Sequence, residues 1–353
     1  MNHLERIAEK LSAYEIDAMM VSSTPGEFYS LGFRGEGVLL VSKNACRYFT
    51  DARYIEAAQK KVHGCEISVS PVAKEHIPLI NKAIEELGIR RLGYEDGYMS
   101  VRDYLRYTRE VRCELVPCQP LMTELRAAKD EREIALMQKS QDVVDEAFLV
   151  ILDYIRPGMT ERDISAKLLY EMFKRGARFS FNPIVVTGVN TSLPHGIPSD
   201  AQIQPGQFLT MDFGCVVDGY CSDMTRTVAI GEPSEEMRTV YNTVLQAQLA
   251  GIAASRAGVT GKSIDTAARK VIEEAGYGPY FSHGYGHSLG VEGKETPLAN
   301  TVDETPMPVG AAVSAEPGIY LPGRFGVRIE DVVIMTETGC LNLTKSPKDL
   351  IVL

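Results

Sequence analysis

The 353-residue chain is 44% hydrophobic and 24% charged, the balance of an ordinary soluble globular protein, and it is long enough for two domains with separate cores. A net charge of −10 without any long basic run argues against nucleic acid, whose binding rests on neutralising phosphates. No apolar run approaches the ~20 residues that span a bilayer, and the charged start MNHLERIAEKLSAYEID is no signal peptide, so no membrane association is expected and the cytoplasm is the expected location.

From the N-terminus, the pattern predicts a helix over residues 2–14, then strands at DAMMVSS (17–23), GVLLVS (37–42) and CRYFTD (46–51). A helix over 54–61, the strand CEISVS (65–70), a helix near 75–87 and a short strand at 91–94 follow. A helix at 100–110 and CELVP (113–117) complete the series. Short β-branched runs separated by amphipathic stretches predict one α/β domain with a central sheet over residues 1–123. Cysteines at 46, 65, 113, 118, 215, 221 and 340 include no C-x-x-C pair, so all seven are read as small buried hydrophobes in a reducing compartment.

From residue 124 to 353 the order changes. Ile134, Met137, Val144, Phe148, Ile151 and Ile155 form one helical stripe that stops at Pro157-Gly158. Thr160 with Asp163 reads as a capping box opening a second helix to about Arg175. Strands follow at PIVVTG, QFLTMDFG and GYCSDMTRTVAIG. A helix from Ser234 to about Ala257, another from Ser263 to Ala275 and a run of glycine-rich strands then repeat that order. The repetition predicts an internal duplication. GVTGKS (258–263) ends like a phosphate-binding loop, but Arg256 stands where its first glycine is needed, so Ser263 is read as a helix cap and no ATP site is expected.

Four carboxylates carry the chemical signal. Asp212 lies in an apolar strand and Asp223 in the next, with Asp218-Gly219 as the turn between them. Glu316 in SAEPGIY and Glu330 in GVRIEDVVIM pose the same question, because strand interiors disfavour acids. Were the four to converge, each ionised pair at ~4 Å would repel by about 4 kcal/mol at an effective dielectric of 20, so the cluster must be protonated or hold cations. Two divalent ions would cancel four negative charges, and His287 could complete the coordination. The spacing His283-x-x-x-His287 is not a helical zinc motif. It lacks the glutamate beside the first histidine, and Gly284, Gly286 and Gly290 disfavour a helix. Read locally, Arg328 is an ion-pair partner of Glu330, and His195 is a loop histidine after a proline.

Asp212, Asp223, His287, Glu316 and Glu330, in order and local context, resemble the five ligands of the dinuclear metallopeptidases of the creatinase/aminopeptidase fold. Within these the chain is similar to the aminopeptidase P and Xaa-Pro dipeptidase groups. FYSLGF, FTDARYIEAA, LRAAKDEREI, GVNTSLPHG, MDFG, YCSDMTRT, SHGYGH, AEPGIYLPG and GVRIED carry the likeness over nearly the whole length. The resemblance implies an α/β N-terminal domain and an α+β "pita-bread" C-terminal domain with pseudo-twofold symmetry. It also implies hydrolysis of Xaa-Pro bonds in short proline-containing peptides, and a homodimer. Glu316 would orient and deprotonate a water, His195 and His283 would position the substrate and assist proton transfer, and Arg328 would hold substrate or the ligand shell. Carboxylate-rich ligation favours manganese, with zinc, cobalt and iron as alternatives. One position departs from the pattern: Lys294 stands where the resembling peptidases place a third histidine, seven residues after the metal-binding one. Lys294 is therefore read as a substrate-binding donor to the tetrahedral intermediate or as a solvated loop residue. The departure leaves two alternatives, a hydrolase or lyase of this fold acting on a non-peptide substrate and a non-catalytic binding module.

Overall fold

Short polar side chains cap most of the helix starts, and short apolar runs make the strands. In the computed structural model, which describes residues 2–353, the chain divides into two compact units, Met1–Arg126 and Ala127–Leu353. The first unit runs α1 (His3–Lys10), β1 (Ala18–Val21), α2 (Thr24–Leu31), β2 (Val38–Ser42), β3 (Cys46–Thr50), α3 (Ile55–Lys61) and β4 (Glu66–Val69). It continues through α4 (Ile77–Leu87), β5 (Arg91–Tyr94), α5 (Val101–Glu110), β6 (Glu114–Pro117) and α6 (Gln119–Ala127). The strands make one mixed sheet in the order β4-β3-β2-β1-β5-β6. Met19 and Val21 of β1 pack into one core cluster while Ala18 and Met20 pack into another, so the sheet is covered on both faces. That explains why its strands read as continuous apolar runs.

Two results differ from the sequence reading here. The α2 helix, TPGEFYSL, was not expected. Ser23 caps it by accepting the Gly26 N–H, and Pro25 occupies the first turn, where its missing N–H costs nothing. The cysteines also differ. Cys46 and Cys65 form a disulfide with Cα atoms 4.6 Å apart. Strands β3 and β4 pair in parallel with Arg47 opposite Glu66, so the residues just before them face each other. That proximity comes from strand register, which spacing along the chain does not reveal. Cys118, Cys215 and Cys221 are buried as expected, whereas Cys113 and Cys340 are only half-buried.

The second unit opens with α7 (Glu131–Tyr154) and α8 (Glu161–Lys174), then β7 (Arg178–Phe179), β8 (Ile184–Thr187), β9 (Gln207–Phe213), β10 (Cys215–Val217), β11 (Tyr220–Cys221) and β12 (Met224–Ile230). It repeats with α9 (Glu235–Ala254) and α10 (Gly261–Glu274). The closing strands are β13 (Gly286–Ser288), β14 (Glu295–Ala299), β15 (Ala312–Ala315), β16 (Gly318–Leu321), β17 (Phe325–Arg328), β18 (Asp331–Met335) and β19 (Cys340–Asn342). The capping box at Thr160 and Asp163 forms as read. Its counterpart is Thr260, which accepts the Ser263 N–H, so Thr260 and not Ser263 caps α10. The two halves match in their punctuation. Gly158 and Gly258 precede the caps with positive φ, and Gly176 and Gly276 follow the helices in the same way. Among the described residues no helix is long and apolar enough to cross a membrane.

Candidate metal centre

The acids sit mostly where strand pairing lapses. Asp212 alone lies inside a strand, on β9 opposite Thr225. Asp223 falls between β11 and β12, Glu316 between β15 and β16, and Glu330 between β17 and β18. At each of these three breaks the chain passes from one sheet to another, so the side chain can turn inward without opposing a partner in a ladder. The hairpin before Asp223 closes as expected, with Val217 opposite Tyr220 and Asp218-Gly219 both at positive φ, as a tight two-residue turn requires. His287 lies on β13. A Cβ at the preceding Gly286 would stand 1.9 Å from the Ser314 carbonyl oxygen, so only glycine allows β13 to approach β15 this closely.

These elements bring five donors together. Carboxylate oxygens of Asp212, Asp223 and Glu330 lie within 4.8 Å of one another. His287 Nε2 is 3.3 Å from Glu316 Oε1 and 4.0 Å from Asp223 Oδ2. The His287 Nδ1 faces the Ser288 carbonyl oxygen at 3.0 Å, which can only accept and so places the proton on Nδ1. Nε2 is left with its lone pair toward the carboxylates, the arrangement of a metal-ligating histidine. Two buried oxygens, Asp212 Oδ1 and Asp223 Oδ1, have no hydrogen-bond partner among the described residues. Unpaired buried carboxylate oxygens beside a free imidazole nitrogen are what cations would satisfy, and the residues fit divalent ions.

Burial holds the Asp212 carboxyl above its ordinary range, against the lowering effect of Arg328. Burial first, then neighbouring carboxylates, hold Asp223 and Glu330 well above theirs. Without ions the folded chain therefore keeps protons that the unfolded chain releases. Their stabilising contribution is present below the ordinary carboxylate pKa of about 4 and is lost as pH rises through the raised values. Chelator-treated protein should melt at falling temperature as pH rises over that window, and saturating divalent ion should raise the melting temperature more at higher pH. An ion-induced shift independent of pH would contradict the proton exchange.

Arg328 was read locally as a partner of Glu330; it pairs instead with Asp212, Nη2 to Oδ2 at 2.5 Å. Its other donors reach the Thr225 hydroxyl at 3.1 Å, the Tyr320 hydroxyl at 2.9 Å and the Pro194 carbonyl at 3.2 Å. Thr225 in turn donates to Glu330 at 2.7 Å. Tyr320 and Thr225 were not singled out from the sequence, since hydroxyls in strands carry no signal of their own. Tyr320 also faces His283 Nε2 at 2.9 Å, while His283 Nδ1 faces the Gly284 carbonyl at 2.8 Å. Burial holds the His283 imidazole below its ordinary pKa. The ring is thus neutral with its proton on Nδ1, and Nε2 accepts from Tyr320. Both nitrogens are engaged, so proton transfer by His283 would require breaking the Tyr320 bond.

A cavity of about 490 Å³ opens over the cluster, lined by all nine expected site residues and by Ser180, Phe181, Ile184, Pro194, Leu298 and Asn300, among others. His195 and Lys294 are its exposed members, and neither side chain has a hydrogen-bond or ion-pair partner among the described residues. Glu295, next to Lys294, anchors that segment through a buried ion pair with Lys129 at 3.0 Å.

Comparison with known proteins identifies the family. Residues 135–337 match metallopeptidase family M24, and residues 3–128 match the creatinase/prolidase N-terminal domain. The chain belongs to metallopeptidase family M24. Its relatives cover both units. An Xaa-Pro dipeptidase from Bacillus anthracis of known structure is 40% identical, with a TM-score of 0.95 over 99% of each chain. An X-Pro aminopeptidase from Thermotoga maritima is 35% identical, with a TM-score of 0.92 over 100% of each chain. An Xaa-Pro dipeptidase from Pyrococcus horikoshii is 33% identical over 99% of this chain and 98% of its own. The M24 chain is accordingly a peptidase, and the repeated helix–helix–strands order of its second unit is the pseudo-twofold pita-bread fold.

Proposed function

We propose that the chain is a dinuclear metal-dependent peptidase that cleaves Xaa-Pro bonds in short peptides. The observation that carries the reading is the gathering of Asp212, Asp223 and Glu330 carboxylate oxygens within 4.8 Å of one another beside His287, whose Nε2 faces Glu316 and Asp223, with two buried carboxylate oxygens left unpaired among the described residues. Asp212, Asp223, His287, Glu316 and Glu330 would hold the ions, with manganese favoured by the oxygen-rich set. When bound, the ions would supply Lewis-acid polarisation and an acidified water.

The chain's own residues do the rest. Glu316 takes up the proton of the attacking water; its Oε1 is held by the Ser314 hydroxyl at 3.0 Å, which fixes the carboxylate plane. Arg328 holds Asp212 in place and spends its remaining donors on Thr225, Tyr320 and Pro194, so its part in substrate binding is indirect. Phe181 and Ile184 give the cavity an apolar wall suited to a proline ring, and His195 at the rim donates to the substrate carbonyl. The relatives that act on Xaa-Pro dipeptides support the substrate class. The resemblance implies a homodimer, which sedimentation of the purified chain would check.

Hydrolysis of matched Xaa-Pro and Xaa-Ala dipeptides and tripeptides by metal-reconstituted protein tests the reading. Cleavage confined to the proline series is expected. Equal rates on both series, or no hydrolysis of either, would overturn it.

Lys294 enters as an oxyanion donor in place of the histidine expected there. Lys294→Ala should raise the barrier to turnover by about 2.7–4 kcal/mol, the cost of losing one such donor. Lys294→His should restore activity, since an imidazole aims better than a long flexible amine. Steady-state kinetics of the three proteins decides it: an alanine variant as fast as the parent removes the role.

A further inference from the structure

His195 lies at the cavity rim with no hydrogen-bond or ion-pair partner for its ring among the described residues, so its placement rests on the backbone that carries it. That backbone is a surface loop between β8 and β9, with Val189, Leu193 and Ile197 exposed at 57%, 54% and 85%. Such a loop would ordinarily be mobile. Here both shoulders of the histidine segment converge on one side chain. Glu161, in the first turn of α8 and fully buried, accepts the Thr187 N–H at 2.7 Å and the Asn190 side-chain amide at 3.0 Å on Oε1. On Oε2 it accepts the Ser199 N–H at 2.8 Å and the Ser199 hydroxyl at 2.6 Å.

We propose that Glu161 is the positioning residue for His195, clamping the loop before and after it so that the imidazole stands over the metal-ligand cluster. Four donors fill the carboxylate's acceptor sites, and the amide and hydroxyl donors come from points 26 to 38 residues away along the chain. A helix-terminal acid serving only its own helix would bond within the first turn, which Thr160 and Asp163 already satisfy. Across the loop, the Thr191 hydroxyl accepts the Gly326 N–H at 2.8 Å and the Pro194 carbonyl accepts from Arg328 at 3.2 Å. These bonds tie the loop to β17, which carries the partner of Asp212. Glu161 supplies the opposing anchor, the Gly196 N–H donates to the Leu193 carbonyl at 3.1 Å, and the stretch without such a bond shrinks to His195, Ile197 and Pro198.

The inference rests on His195 touching substrate, and its test separates the two claims. Glu161→Gln keeps the volume but turns an NH₂ toward one pair of donors. It should lower kcat on an Xaa-Pro dipeptide by about 10- to 100-fold, the scale of a small misplacement of a reacting group, with KM nearly unchanged. In a His195→Ala background the same change should add less than about two-fold, because the two act as one unit. Independently of turnover, ¹⁵N-histidine spectra of the metal-free chain should show the His195 ring resonances, assigned by their loss in His195→Ala, shifted or broadened in Glu161→Gln while those of His283 stay. Should Glu161→Gln not fold, Ser199→Ala removes only one of the four bonds to Glu161, together with the hydroxyl's bond from the Ala201 N–H, and should move the same resonances less. Unmoved His195 resonances, or a loss of kcat fully additive with His195→Ala, would overturn the clamp. A parent chain that cleaves no proline peptide would sink the substrate reading and leave the spectral comparison to decide the clamp.

Discussion

Asp223→Ala is expected to abolish tight binding of at least one divalent ion and, with it, peptidase activity. The side chain is buried, and its Oδ1 has no hydrogen-bond partner among the described residues, so a bound cation would satisfy it. Its neighbours Asp212 and Glu330 bring carboxylate oxygens within 4.8 Å. Removing one carboxylate changes the charge balance of a site whose affinity depends on that balance. The variant should fold. Taking out a buried acid held above its ordinary pKa by burial relieves repulsion, so metal-free Asp223→Ala should melt no lower than the metal-free parent. Metal analysis after reconstitution, with melting curves on both forms, checks the claim. A parent chain that takes up no manganese, cobalt or zinc would falsify the metal centre itself, and a variant holding the full complement would remove Asp223 from it.

Much of this site was legible because its acids contradict their surroundings. Aspartate in MDFG and glutamate in GVRIED have no reason to sit in apolar runs unless something gathers them. What periodicity could not show is that three of the four occupy breaks between sheets, since a break is defined by strand pairing and not by composition. The supporting hydroxyls were equally silent. Thr225, Ser314 and Tyr320 look like ordinary strand residues, and their roles depend on neighbours from 2 to 105 residues away. The same limit hid the Cys46–Cys65 bridge, which follows from register between β3 and β4. Local rules failed in a different way at α10, where Thr260 and Ser263 are both acceptable caps. The match to Thr160, exactly placed between Gly158 and α8, picks Thr260, because a duplicated fold reuses its punctuation. The N-terminal α2 lies in a stretch for which no element was expected, although proline in a first helical turn is favourable.

His195→Ala is expected to lose activity by about 10²–10⁴-fold, the usual scale for an acid–base group, while metal content stays unchanged. The two halves of that expectation come from different observations. The ring is not part of the cluster: the converging donors are Asp212, Asp223, Glu330, His287 and Glu316, and His195 stands apart at the exposed rim. Its loss therefore leaves every candidate ligand atom in place. The activity term follows from elimination among the cavity's proton-carrying groups. His283 has both nitrogens engaged, by Gly284 and Tyr320, and Arg328 spends its donors on Asp212, Thr225, Tyr320 and Pro194. His195 and Lys294 remain as lining side chains with no partner among the described residues, and the imidazole is the one whose two nitrogens can donate on one side and accept on the other. Kinetics and metal analysis on the same preparation are decisive together. Loss of metal alongside activity would place His195 in the coordination sphere, and full activity without the ring would pass the proton-handling role to Lys294 or to solvent.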